Sequence, residues 1–188
     1  MKDETIGCLA LIVIGAVIFG WVSFCSDGSE EETKVSISTN KPMDEPKRFV
    51  GGAFVTIETL HKTIAPCFKL MDTGAKTSDR DKLRKGLKCM KEAKRFTDIV
   101  LRDISGDVLP KTSSDDLNVL LENIQDTTLD IVRLYSSSLQ KTLTGAEQGD
   151  KSQIIMGKED LAKTVRFRAE ISQYFNQVHK MIESLPDE

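Results

Sequence analysis

At 188 residues the chain has room for one domain of ordinary size beside an apolar N-terminal segment and a polar stretch. Its 26 basic and 29 acidic side chains leave a formal net charge of -3, so no polycationic footprint for DNA or RNA is present. Aromatic residues make up 6% and charged residues 29%, a balance that suits helices better than sheets.

From Ile6 to Phe24 runs IGCLALIVIGAVIFGWVSF, which carries no charge and a single hydroxyl, Ser23. As a helix it reaches about 28 Å, close to the hydrocarbon thickness of a bilayer. Trp21 suits the interface, and Asp27, Glu30, Glu31 and Glu32 close the span. Residues 1–25 are therefore expected to form a short tail and a transmembrane anchor. A cleavable signal peptide, cut after Cys25, is the rival reading, although its apolar region is usually shorter. Orientation has little support from charge, because Lys2 and the terminal amine face only Lys34 and Lys41. A five-residue tail ahead of a signal anchor normally stays cytoplasmic, which puts the remainder on the extracytoplasmic side. Ala16 and Gly20 form a small-xxx-small pair through which two such spans could associate.

Residues 26–47 hold an acidic run, Gly, Ser and two prolines without an apolar period, and read as a flexible linker. Residues 48–188 then show four helical periods. The first, Arg48 to Thr73, aligns Val50, Phe54, Ile57, Ile64, Phe68 and Met71, with Pro66 as a bend and Gly74 as the stop. The second starts at Ser78, paired with Asp81, and carries Leu83, Leu87, Met90, Phe96, Val100 and Ile104 to Gly106. The third starts at Ser113, paired with Asp116, and carries Leu117, Leu121, Ile124, Ile131, Tyr135 and Leu139 to Gly145. The last, Asp150 to Ser184, carries Ile154, Leu161, Val165, Phe175, Val178 and Ile182, with Gly157 as a kink and Pro186 beyond its end. Short connections favour antiparallel neighbours. The expected fold class is all-α: a transmembrane helix, a polar linker and an antiparallel four-helix bundle.

Cys67 and Cys89 would meet when the first two helices fold back on each other, and an extracytoplasmic location would let them form a disulfide. Cys8 and Cys25 belong to the anchor, where Cys25 reads first as a small hydrophobe at the end of the span and otherwise could join a second chain or, with the orientation reversed, accept a lipid. No companion CxxC or HxxxH element supports zinc.

Glu58-x-x-His61 has the spacing of metal-binding helices in carboxylate-bridged bundles, with Glu92 and Glu122 as conceivable partners. The corresponding element of the last helix, Asn176-x-x-His179, lacks the carboxylate. His179 falls on the apolar side of its helix, where haem ligation with Met43 or Met71 competes with a hydrogen-bonded core histidine, and the latter is the commoner outcome. No metal or cofactor is expected. Arg84, Lys88, Lys91 and Arg95 form one stripe opposite the core face of the second helix, a docking face for an acidic protein, an anionic glycan or a lipid head group. No serine elbow, metalloprotease helix, phosphate loop or dinucleotide fingerprint occurs in the chain. The expected function is a membrane-anchored extracytoplasmic helical interaction module, with a ligand-sensing or cofactor-carrying bundle second and an enzyme of unfamiliar type third.

Overall fold

A computed structural model describes residues 44–184, which form four α-helices: α1 Asp44–Thr77, α2 Arg80–Ile104, α3 Asp115–Gln148 and α4 Lys151–Ser184. The expected anchor, with Ala16, Gly20, Cys8 and Cys25, and the expected linker as far as residue 43 lie outside the described residues, as do Met43 and Pro186. Among the described residues no helix is long and apolar enough to cross a membrane.

α1 begins at Asp44, inside the stretch expected to be linker, because Pro46 falls in its first turn. There the missing proline N–H needs no partner and the fixed φ suits a helix. Pro66 lies within α1 without ending it. The helix also runs through Gly74, which packs against the start of α2 at Leu83. Chain reversal occurs at Ser78, whose φ of 54° is left-handed. Asp79, not Ser78, caps α2, accepting from the N–H groups of Asp81 and Lys82 at 3.0 Å each.

The cap of α3 is likewise one residue later than expected. Ser114 accepts from the Leu117 N–H at 3.3 Å, while Thr112 and Asn118 exchange hydrogen bonds that hold the preceding loop in place. Gly145 does not stop α3. The helix continues to Gln148 and ends on Gly149, whose φ of 70° is the left-handed conformation that glycine adopts without penalty. The Asp150 carboxylate then caps α4 by accepting from the N–H of Ser152 at 2.8 Å.

Cross-helix contacts fix the topology. Cys67 meets Cys89 and Met71 meets Gly86, so α1 and α2 are antiparallel. Lys91 reaches Glu147 and Asp98 reaches Ser136, which makes α2 and α3 antiparallel. Ser138 meets Gly157 across α3 and α4, and Phe54 meets Phe175 across α1 and α4. The result is an up-down-up-down bundle. Packing is uneven around it: α3 and α4 have the most extensive interface, α1 lies against both α2 and α3, and α1 touches α4 at few positions.

The core stripe of α3 is the one expected, since Leu117, Leu121, Ile124, Ile131, Tyr135 and Leu139 are all fully buried. Ile57, Leu60, Ile64 and Phe68 of α1 and Met90 of α2 close over it. On α4 the expectation fails in part. Val165 is 63% exposed, whereas Asp160 and Thr164 are buried beside Gly157, Ile171, Val178 and Ile182. The reason is the closeness of the α3–α4 crossing. A Cβ on Gly157 would meet the Thr142 hydroxyl and come within 2.7 Å of the Ser138 carbonyl oxygen, so this seam is lined by small and polar residues. Gly157 is therefore a contact point between helices, not a kink.

Candidate functional site

Arg84, Lys88, Lys91 and Arg95 all lie on the exposed side of α2, opposite its buried residues Gly86, Met90, Ala93 and Thr97. The three- and four-residue spacing keeps them in one row along the helix. Lys91 pairs with Glu147 of α3 at 2.8 Å, both side chains remaining more than half exposed. Among the described residues no carboxylate lies within ion-pair distance of Arg84, Lys88 or Arg95. Their neighbour Lys94 is turned inward and paired with Asp98 at 2.5 Å. Three of the four cations in the outward row thus have no carboxylate partner among the described residues, while Lys91 and the flanking Lys82 and Lys94 are paired locally.

Beneath this row the sulfurs of Cys67 and Cys89 are 1.99 Å apart with Cα atoms at 5.4 Å, a disulfide between α1 and α2. The link fixes the middle of α2, where Lys88 and Lys91 flank Cys89 in sequence. Two expected partners are therefore brought together, and the helix that carries the cations is held to the bundle by a covalent bond as well as by Met90 and Ala93.

Glu58 and His61 do not converge on a metal. Glu58 accepts from the Arg168 guanidinium of α4, and His61 Nδ1 lies 3.1 Å from the Tyr135 hydroxyl of α3. Glu92 and Glu122, conceived as further ligands, are exposed on α2 and α3. Among the described residues no cluster of three His, Cys, Asp or Glu side chains could hold an ion. Burial, assisted by the positive charge of Arg168 and opposed by Glu58, lowers the His61 pKa and favours the neutral ring. Burial pushes the Tyr135 phenol up, so it too stays neutral. His179 is 68% exposed, beside Glu183 at 3.1 Å, which removes it from the core and from any haem pocket. Its position at the edge of the apolar arc, one residue beyond buried Val178, accounts for the error.

The same α1–α4 contact borders a cleft of about 220 Å³. Ile57 and Ile171 line its apolar part with Phe54 and Val165, while Glu58 and Arg168 supply charge. Arg168 had no distinguishing signal in the sequence, because it follows Lys163 and Arg166 on a weakly amphipathic helix and only its pairing with Glu58 sets it apart. Asp160 was also missed. It is buried and holds Lys141 at 2.5 Å, Ser137 at 2.8 Å and Lys163 at 3.0 Å, linking α3 to α4. Its recurrence with Gly157 and Thr164 at three and four residues was the available clue.

No protein-family model matches the chain, and comparison with curated proteins and with solved structures finds no match either.

Proposed function

We propose that the chain is a membrane-anchored interaction module: residues 6–24 span the bilayer, and the outward face of α2 recruits an acidic protein on the extracytoplasmic side. The observation that carries this reading is the row of Arg84, Lys88, Lys91 and Arg95, in which only Lys91 is engaged by a carboxylate among the described residues. Such a face raises the local concentration of an acidic partner and speeds its encounter. The Cys67–Cys89 disulfide supports an oxidising compartment, because such bonds rarely persist in the cytosol. Affinity capture of the full-length protein from its native membrane tests the proposal. Replacing Arg84, Lys88, Lys91 and Arg95 with Glu is expected to abolish partner recovery, and recovery at the unsubstituted level would refute it. Protease added to intact cells should digest the bundle only if it lies outside.

A second reading, a ligand-sensing bundle, draws on the cleft between α1 and α4. Its apolar lining and the Glu58–Arg168 pair would suit a small amphipathic ligand. Ala169→Trp would fill the cleft, and loss of a ligand-induced rise in thermal midpoint without loss of partner capture would favour this alternative.

A further inference from the structure

The outward face of α2 is not purely cationic. Four residues past Arg95 the row continues with Ile99, which is 42% exposed and takes no part in the hydrophobic core. Arg102, also exposed, follows three residues later. At the helical rotation per residue, Arg84, Lys88, Lys91, Arg95 and Arg102 fall within about 60° of one another, and Ile99 lies on the margin of that row. Glu92 is exposed on the same margin, next to Lys88 and Arg95.

Ile99 and Glu92, which lie on this margin within the length of the cation row, discriminate among partners. A sulfated glycan or a phosphate-rich surface has nothing to place on an aliphatic side chain, and it would be repelled by Glu92. A protein helix can supply a different side chain at each turn, and its rise per residue equals that of α2. Acidic residues spaced four, three and four apart would therefore stay in step with Arg84, Lys88, Lys91 and Arg95, whichever way the helix runs.

Resting on the basic-face reading, we propose that the occupant of this surface is an acidic amphipathic α-helix of another protein. It lies along α2 with carboxylates over the four cations, the one at Lys91 taking the place of Glu147, one aliphatic side chain against Ile99 and a basic side chain opposite Glu92. The charge row aligns it, and Ile99 sets its register. A helix shifted by one turn would put a carboxylate over the isoleucine and a like charge over Glu92.

The test titrates fluorescent probes against the full chain in neutral detergent. One probe is a helical peptide about five turns long with Glu at the matching spacing, Leu facing Ile99 and Lys facing Glu92. The others are a sulfated oligosaccharide and polyphosphate. Ile99→Ser is expected to weaken the peptide by about tenfold and leave the two polyanions unchanged. Glu92→Lys is expected to weaken the peptide and tighten both polyanions. Both positions are exposed, so unchanged thermal midpoints verify that the fold is intact. If the peptide binds no tighter than the polyanions, or if the two substitutions move all probes alike, the helix proposal is overturned. Changing all four cations to Glu separates the two levels: release of every probe by this variant, together with Ile99→Ser and Glu92→Lys effects that are the same for all probes, keeps the basic-face reading and overturns the helix, whereas a peptide that stays bound overturns both.

Discussion

Replacing Asp160 with Asn would remove a buried charge while keeping the shape of the side chain. Burial by itself would raise the Asp160 carboxyl pKa, but hydrogen bonds from Lys141, Ser137 and Lys163 outweigh it and bring the value from 3.8 to about 2. Asp160 itself is 7% exposed, while Lys141 is 31% and Lys163 60% exposed, so solvent screens part of their attraction and the full pKa shift sets an upper bound on its contribution. A folded pKa depressed by nearly two units corresponds to about 2.4 kcal/mol of stability from the ionised form. Because the pKa is lowered on folding, this contribution is complete well above pH 3.8 and fades as pH falls toward 2. About half of it is gone by pH 3. Urea denaturation of both proteins at pH 7, 5 and 3 measures the difference, and other carboxylates cancel in the comparison. The expectation is a deficit for Asp160→Asn of about 2 kcal/mol at neutral pH that narrows to about 1 kcal/mol at pH 3. A deficit below about 0.5 kcal/mol at pH 7, or one independent of pH, would refute the assignment of Asp160 as a paired carboxylate bridging α3 and α4.

Two further substitutions probe the same scaffold. Gly157→Ala gains about 1 kcal/mol in helix propensity but forces a methyl group toward the Ser138 carbonyl, an overpacking cost of about 1–3 kcal/mol. A net loss of stability by thermal denaturation, partly restored by adding Thr142→Ala, is expected; a stabilised single variant would show that the seam is looser than described. Converting Cys67 and Cys89 to Ser removes a cross-link spanning 22 residues and should cost about 3 kcal/mol in urea midpoint analysis. A midpoint equal to that of the oxidised parent would contradict a stabilising role for the bond.

How much of this was legible in the chain depends on which residues fill the interfaces. α3 was read correctly because its stripe is made of large apolar side chains, from Leu117 to Leu139, whose period dominates the segment. Glycine misled the reading of helix ends at Gly74 and Gly145, since the same residue serves both as a stop and as a place where two helices approach closely. On α4 the contact with α3 is built from Gly157, Asp160 and Thr164, so a search for apolar periodicity selected Val165 on the wrong side and gave His179 a core position. Caps shifted by one residue, from Ser78 to Asp79 and from Ser113 to Ser114, because adjacent residues have equal capping chemistry and only the backbone conformation chooses between them. The cysteine pair and the α2 cation row were legible because they depend on antiparallel register and on exposure, both set by the helix pattern. Pairs formed across α1, α3 and α4, Glu58 with Arg168 and His61 with Tyr135, require the relative placement of helices distant in sequence.

The register of Phe54 against Phe175 has a geometric corollary. Counting about ten residues outward from each ring, or roughly 15 Å of helix, brings Asp44 and Ser184 to one pole of the bundle. The tight reversals at Ser78 and Gly149 occupy the other. A short peptide could therefore join residue 184 to residue 44, and the bundle could be reopened at the Gly149 turn to give a circular permutant with its four helices in place. In that rearranged order α4 would precede α1 in sequence, making local the one helix pair that the native connectivity leaves thinly joined.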